Sequence, residues 1–195
     1  MKLLSQLIMV SLLFGAASWH FPAFAQYDYE PSNKFPYGRL NPAAPPQTAD
    51  YEALIGKSNC KSVSRNADGT WSSDTVNMIW KFKYFMNGMA VQDETLKADQ
   101  QHSSSIRQYN VDSATWYVTY FSTLAGPAPG VWSGGKEGNE IHLYKPQKAP
   151  NGVDGFYKLS FTDITDKGFN WKGQWVDPSE QMKYPTWVIF CRKDI

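Results

Sequence analysis

The chain has 195 residues, 42% of them hydrophobic and 15% aromatic, with 19 basic side chains against 18 acidic ones. Charge so nearly balanced gives no electrostatic reason to expect nucleic acid or an anionic membrane as a partner. The two cysteines have no His pair beside them, so there is no basis for a zinc site, and no other metal or organic cofactor is expected.

Residues 1 to 25 read as a cleavable secretory signal. Lys2 supplies the positive charge, Leu3 to Ala17 the apolar run, and Ala23-Phe24-Ala25 the small residues that a signal peptidase reads. The run is shorter than the roughly 20 residues a membrane span needs, and Trp19, His20 and Pro22 interrupt it. Export to the periplasm or beyond is therefore expected, with a mature chain starting near Gln26; an uncleaved N-terminal anchor is the alternative. No second long apolar stretch follows, so no membrane span is expected in the mature chain. Roughly 170 residues remain, enough for one domain with a real core.

Residues 26 to 47 carry Pro31, Pro36, Pro42, Pro45 and Pro46 and read as an extended arm or linker. Residues 48 to 195 form the expected barrel domain. It opens with a short helix from Thr48 to Ile55, with Thr48 as N-cap and Gly56 ending it. Thereafter short segments rich in Trp, Tyr, Phe, Val and Thr alternate with turn residues, which is an all-β pattern. The expected strands are Lys57 to Arg65, Thr70 to Met86, Met89 to Leu96, Ser104 to Tyr109 and Thr115 to Phe121. A Gly/Pro-rich loop from Gly126 to Gly138 separates these from Glu140 to Tyr144, Gly155 to Phe161, Phe169 to Val176 and Thr186 to Arg192. A meander of about 8–10 strands joined by short turns favours a single antiparallel β-barrel. A β-sandwich is the alternative.

Cys60 and Cys191 lie near opposite ends of the folded region. In an exported chain, an even number of cysteines makes a disulfide the default, against two buried free thiols.

Asn87-Gly88 is the strongest hairpin signal, because a type I′ turn needs positive φ at both central residues. A two-residue turn sets Met86 opposite Met89, Tyr84 opposite Val91, Phe82 opposite Asp93, Lys81 opposite Glu94 and Trp80 opposite Thr95. Alternation then puts Lys81, Lys83, Gln92 and Glu94 in water, and Trp80, Phe82, Tyr84, Met86, Val91 and Asp93 inside. A lone carboxylate on a buried face needs a donor. Arg107, on the following strand and sharing a face with Tyr109, is the nearest basic candidate. The expectation is a polar cluster of Asp93, Arg107 and Tyr109; the alternatives are a purely structural ion pair or an Asp93 that reaches water.

Trp80, Trp116, Tyr120 and Trp171 all fall in strands and serve either as core packing or as the walls of a ligand pocket. His102 lies in a polar loop, and Glu140 and His142 face outward if Ile141 and Leu143 face the core. No nucleophile elbow, phosphate loop or dinucleotide fingerprint is present. Gly134-Gly135-Lys136-Glu137-Gly138 reads as a turn.

Several stretches together resemble an uncharacterised family of bacterial calycin-like proteins, relatives in fold of the lipocalins and fatty-acid-binding proteins. They are Leu54-Ile55-Gly56, Trp80 through Asn87-Gly88 to Gln92-Asp93-Glu94, Ile106-Arg107-Gln108-Tyr109 with Trp116 downstream, Gly134 through Ile141, and Phe161 through Ile164 to Phe169-Asn170-Trp171. The likeness covers most of residues 48 to 192 and implies a meander barrel with a short helix over one end. It also implies that the last strand pairs with the first, bringing Cys191 near Cys60. One departure stands out: Ser58 occupies the position, two residues after the glycine, where such families place a tryptophan plug.

Three functions fit these residues. The first is an exported binding protein for a small aromatic or lipidic molecule, with or without a carboxylate, held by Trp80, Phe82, Tyr84, Asp93, Arg107, Tyr109, Trp116, Tyr120 and Trp171. The second is a cofactor-free lyase or isomerase for a phenolic or unsaturated acid. It would use Arg107 to hold the substrate, Asp93 or Glu140 as general acid or base, and Tyr109 as proton donor. The third is an envelope interaction protein with a packed barrel, whose proline-rich arm does the work.

Overall fold

The β-branched and aromatic segments fold as strands in the computed structural model, which describes residues 27–127 and 130–194. The expected signal, residues 1–25, lies outside them. The strands are β1 (Gly56–Ser64), β2 (Val76–Phe85), β3 (Ala90–Lys97), β4 (Ser103–Asn110), β5 (Thr115–Ser122), β6 (Gly126–Pro127), β7 (Trp132–Glu137), β8 (Glu140–Pro146), β9 (Phe156–Thr165), β10 (Gly168–Val176) and β11 (Lys183–Lys193). Each pairs antiparallel with the next, except that β6 only folds back on the end of β5, which then pairs with β7. β11 pairs with β1, so the chain closes into a single ten-strand antiparallel meander barrel rather than a sandwich. Closure leaves none of the ten strands with an unpaired edge.

The β2–β3 register follows from the turn. Tyr84 pairs with Val91, Phe82 with Asp93, Lys81 with Glu94 and Trp80 with Thr95. Asn87 and Gly88 take φ of 52° and 77°, as a type I′ turn requires. Met86 is a correction: it leaves the ladder with φ 54° and is exposed, not part of the buried face.

Cys60 and Cys191 stand directly opposite each other in the β1–β11 ladder and form a disulfide. It closes a sequence separation of 131 residues. By chain entropy, a loop that long contributes about 4–5 kcal/mol, through the unfolded state.

Four local expectations are corrected. The short helix is a 3-10 helix, Pro46–Leu54, that begins earlier than Thr48 because Pro46 needs no N–H partner in the first turn. Thr48 is not its N-cap but a fully buried residue inside it. The strand expected from Thr70 starts only at Val76, since the polar stretch before it makes a single bridge, Arg65 to Trp71. Gly134 to Glu137 belong to β7 and are not a turn. A Cβ on Gly134 would collide with the His142 carbonyl of β8, so this glycine serves close strand approach.

The segment before the helix docks rather than running free. Tyr84 N–H donates to Tyr37 O at 2.9 Å, Asn41 N–H to Gly88 O at 3.2 Å, and Tyr29 N–H to the Asn87 side chain at 3.2 Å. It thus takes up backbone groups of the β2–β3 hairpin and its turn.

The two ends of the barrel differ. At one, the hairpin turns are short (between β2 and β3, β4 and β5, β7 and β8, β9 and β10), and the helix sits against β3, β4 and β9. There Tyr51 and Leu54 are fully buried as a plug. At the other end the connections are longer, and Trp71, Leu124, Val131, Val153 and Met182 are exposed on them.

Candidate functional site

Inside the long-loop half lies a cavity of about 230 Å³. Its apolar walls are Trp80 and Met78 of β2, Trp132 of β7, Leu159 of β9, Trp171 of β10 and Trp187 and Ile189 of β11. The β3–β4 part of the wall is polar: Asp93, Arg107 and the small Thr95, Ser103 and Ser105, with Lys97 at its outer end. This is why space exists. Where other strands send rings inward, β3 and β4 send hydroxyls.

Of the nine expected ligand residues, Trp80, Asp93, Arg107, Tyr120 and Trp171 border this cavity. The other four lie in the packed half. Phe82 meets Phe161 and Phe169 edge-to-face at 6.1 and 5.9 Å between ring centroids. Trp116 receives Tyr51 edge-on at 4.8 Å and donates its indole N–H to Asp50 at 3.0 Å. Tyr109 meets Trp116 edge-to-face at 5.7 Å. Tyr84 is buried, and burial, followed by the charge of Glu52, pushes its phenol up to about 12.

Asp93 and Arg107 meet at the boundary between the halves. Arg107 Nη2 lies 2.5 Å from Asp93 Oδ2, an ion pair by distance that is not aligned as a hydrogen bond. Asp93 Oδ1 accepts the Ser105 N–H at 2.9 Å. Both side chains are under 5% exposed. The guanidinium lies over Phe82 at 5.1 Å, Tyr51 at 5.3 Å and Phe161 at 5.8 Å. Each such contact contributes about 0.5–2 kcal/mol, against the cost of Nε and Nη1, which have no partner. The phenol beside the guanidinium is therefore Tyr51, not Tyr109. Burial drives Tyr51 up to about 12, with the Arg107 charge opposing it.

The acid–base trio expected of an enzyme does not assemble. Asp93 is committed to Arg107, Tyr109 makes no hydrogen bond to either, and Glu140 lies outside the barrel, 3.1 Å from His142. His142 also meets Ser160 at 3.0 Å, and burial lowers its pKa.

Ser58 is buried and pairs directly with Trp80. Trp80 meets Phe169 and Trp171 edge-to-face at 5.5 and 6.2 Å and Phe161 at a tilt at 5.7 Å.

Sequence reasoning missed Trp132, Trp187, Tyr157, Thr95 and Lys97 as cavity neighbours. Thr95 and Lys97 were within reach, because they continue the inward alternation that passes through Asp93. Trp132 was hidden in the segment taken as a loop.

No protein-family model matches the chain, and no curated protein is significantly similar to it.

Proposed function

We propose that the protein is an exported carrier of a small aromatic molecule, built on a calycin-like barrel. The supporting observation is the cavity itself, walled by Trp80, Trp132, Trp171 and Trp187 in one half while the other half is packed with rings. Its volume of about 230 Å³ exceeds the roughly 150 Å³ that holds benzene and falls below common drug-sized pockets. A one- or two-ring molecule fits that volume; a long acyl chain does not.

Export is supported by the signal-like residues 1–25 and by the Cys60–Cys191 disulfide, a bond favoured in oxidising compartments. On this reading the signal is removed, residues 26–47 are an arm that meets the β2–β3 hairpin through Tyr29, Tyr37 and Asn41, and residues 48–195 are the carrier barrel domain.

Native and denaturing mass spectra of protein recovered from an oxidising compartment test the proposal. A mature chain starting near Gln26, with an adduct that is released on denaturation, is the expected result. A chain retaining residues 1–25 would overturn cleavage and leave them as an N-terminal anchor. Native spectra without an adduct, even after incubation with mono- and bicyclic aromatics, would sink the carrier reading.

A further inference from the structure

The carrier reading leaves open which way round a ligand would sit, and the polar groups of the cavity half bear on that. Two indole N–H groups there, Trp80 Nε1 and Trp132 Nε1, have no protein partner. Both nitrogens are buried within the wall, so the choice of head group falls to the charged side chains. The one carboxylate on the wall, Asp93, is already held by Arg107 and the Ser105 N–H.

Two lysines stand near the outer end of that cavity: Lys97 lines it, and Lys145, though not part of its wall, lies over Trp132, which is. Lys97 follows Asp93 and Thr95 on the inward face of β3, and Lys145 follows Ile141 and Leu143 on the inward face of β8. Lys97 Nζ lies 3.1 Å from Asp99 and 5.5 Å from the Trp187 ring. Lys145 Nζ lies 3.9 Å from the centre of the Trp132 ring and has no ion-pair partner among the described residues. Burial also holds its ammonium below the usual lysine range. A half-buried ammonium over a cavity-wall indole, without a carboxylate, lacks a counter-anion.

Arg107 is the other cation, and it is poorly placed for the task. It is 3% exposed, paired with Asp93 and flanked by three rings of the packed half. A ligand anion seated there would have to break that pair.

We infer that the cavity takes a flat aromatic acid, ring inward against the tryptophans and anionic group at the rim on Lys145, with Lys97 adding a second positive charge. This rests on the carrier reading and reverses the orientation in which Arg107 would hold the acid group.

Two probes of nearly equal shape test it: naphthalene-2-carboxylate and its neutral amide, naphthalene-2-carboxamide. Affinities for the mature, disulfide-bonded protein are measured by titration calorimetry. The carboxylate should bind about tenfold tighter or more, the scale of one charge-assisted contact. That preference should shrink toward one in Lys145→Gln, and partly in Lys97→Gln, with near-ultraviolet circular dichroism confirming the fold. Equal binding of both probes by the wild type would overturn the head-group assignment and leave the carrier reading standing. A preference that survives both substitutions would overturn the lysine assignment. Binding of neither probe would overturn the inference together with the carrier reading.

Discussion

Leu159 and Phe161 sit two residues apart on β9 and point into the same barrel, yet they face different interiors. Phe161 is 1% exposed, with Tyr51, Trp80, Phe82 and Phe169 around its ring. Leu159 borders the cavity and is only partly buried. The helix adds Tyr51 and Leu54 to the Phe161 half and adds nothing to the Leu159 half. The β3–β4 wall meanwhile places Val91 and Arg107 low in the barrel but Thr95 and Ser103 higher up. Side-chain volume decides where the barrel is solid and where it is hollow. The fold alone does not.

That contrast is broken most directly by truncation. Phe161→Ala should cost about 3–5 kcal/mol, because it opens a void among rings that cannot collapse. Leu159→Ala should fall at or below the lower end of the roughly 2–5 kcal/mol range for core leucines, since it enlarges a space that already exists. Urea midpoints at constant slope measure both. Equal losses would mean that the two halves are packed alike.

The ion pair at the boundary comes next. Arg107→Met leaves Asp93 buried without a counter-charge and should cost about 3–5 kcal/mol. Pairing it with Asp93→Val should recover most of that loss, because buried ion pairs are often replaceable by well-packed apolar groups. If the double variant is no more stable than Arg107→Met, then the pair is doing more than neutralising itself.

Much of this could be read from residues. Asn87-Gly88 sets the register that puts Asp93 inside, and a buried carboxylate implies a donor such as Arg107 on the next strand. What could not be read is height along the barrel axis. Alternation says that Phe82, Trp116 and Trp171 face inward, but not which of them meets the helix and which meets the cavity. Tyr51 was missed as the neighbour of Arg107 because it comes from the helix, which no strand period relates to β4. β7 was missed because Gly134 and Gly135 resemble a turn, although close contact with β8 is what requires a glycine at 134. Met86 was misplaced because strand alternation was carried one residue into the turn.

The smallest expected effect is confined to the hollow half. The β10–β11 connection carries Glu180, whose carboxylate reaches Lys158 at 2.8 Å and accepts the Tyr144 hydroxyl at 2.7 Å on the outer wall. Burial works against the charge of Glu180, but the Lys158 and Tyr144 contacts win and lower its pKa below the ordinary 4.5. Burial likewise opposes the charge on Lys158, and its contacts with Glu180 and Tyr144 raise its pKa above 10.5. The contribution of Glu180 is therefore in place above about pH 4.5 and is lost as pH falls through the lowered value. That of Lys158 is in place below about pH 10.5 and is lost as pH rises through the raised one. Partial exposure limits the pair to about 1 kcal/mol or less. Below about pH 4.5, protection against hydrogen exchange, taken relative to the intrinsic rate at each pH, should fall at residues 177–182 while amides around Phe161 keep theirs. Glu180→Gln should shrink that fall and leave the share of Asp177, whose carboxylate accepts the Ser179 and Met182 N–H groups and whose pKa is also lowered. A loss of protection that is equal in both halves would show that acid loosens the whole barrel, and the contrast between its ends would not extend to their dynamics.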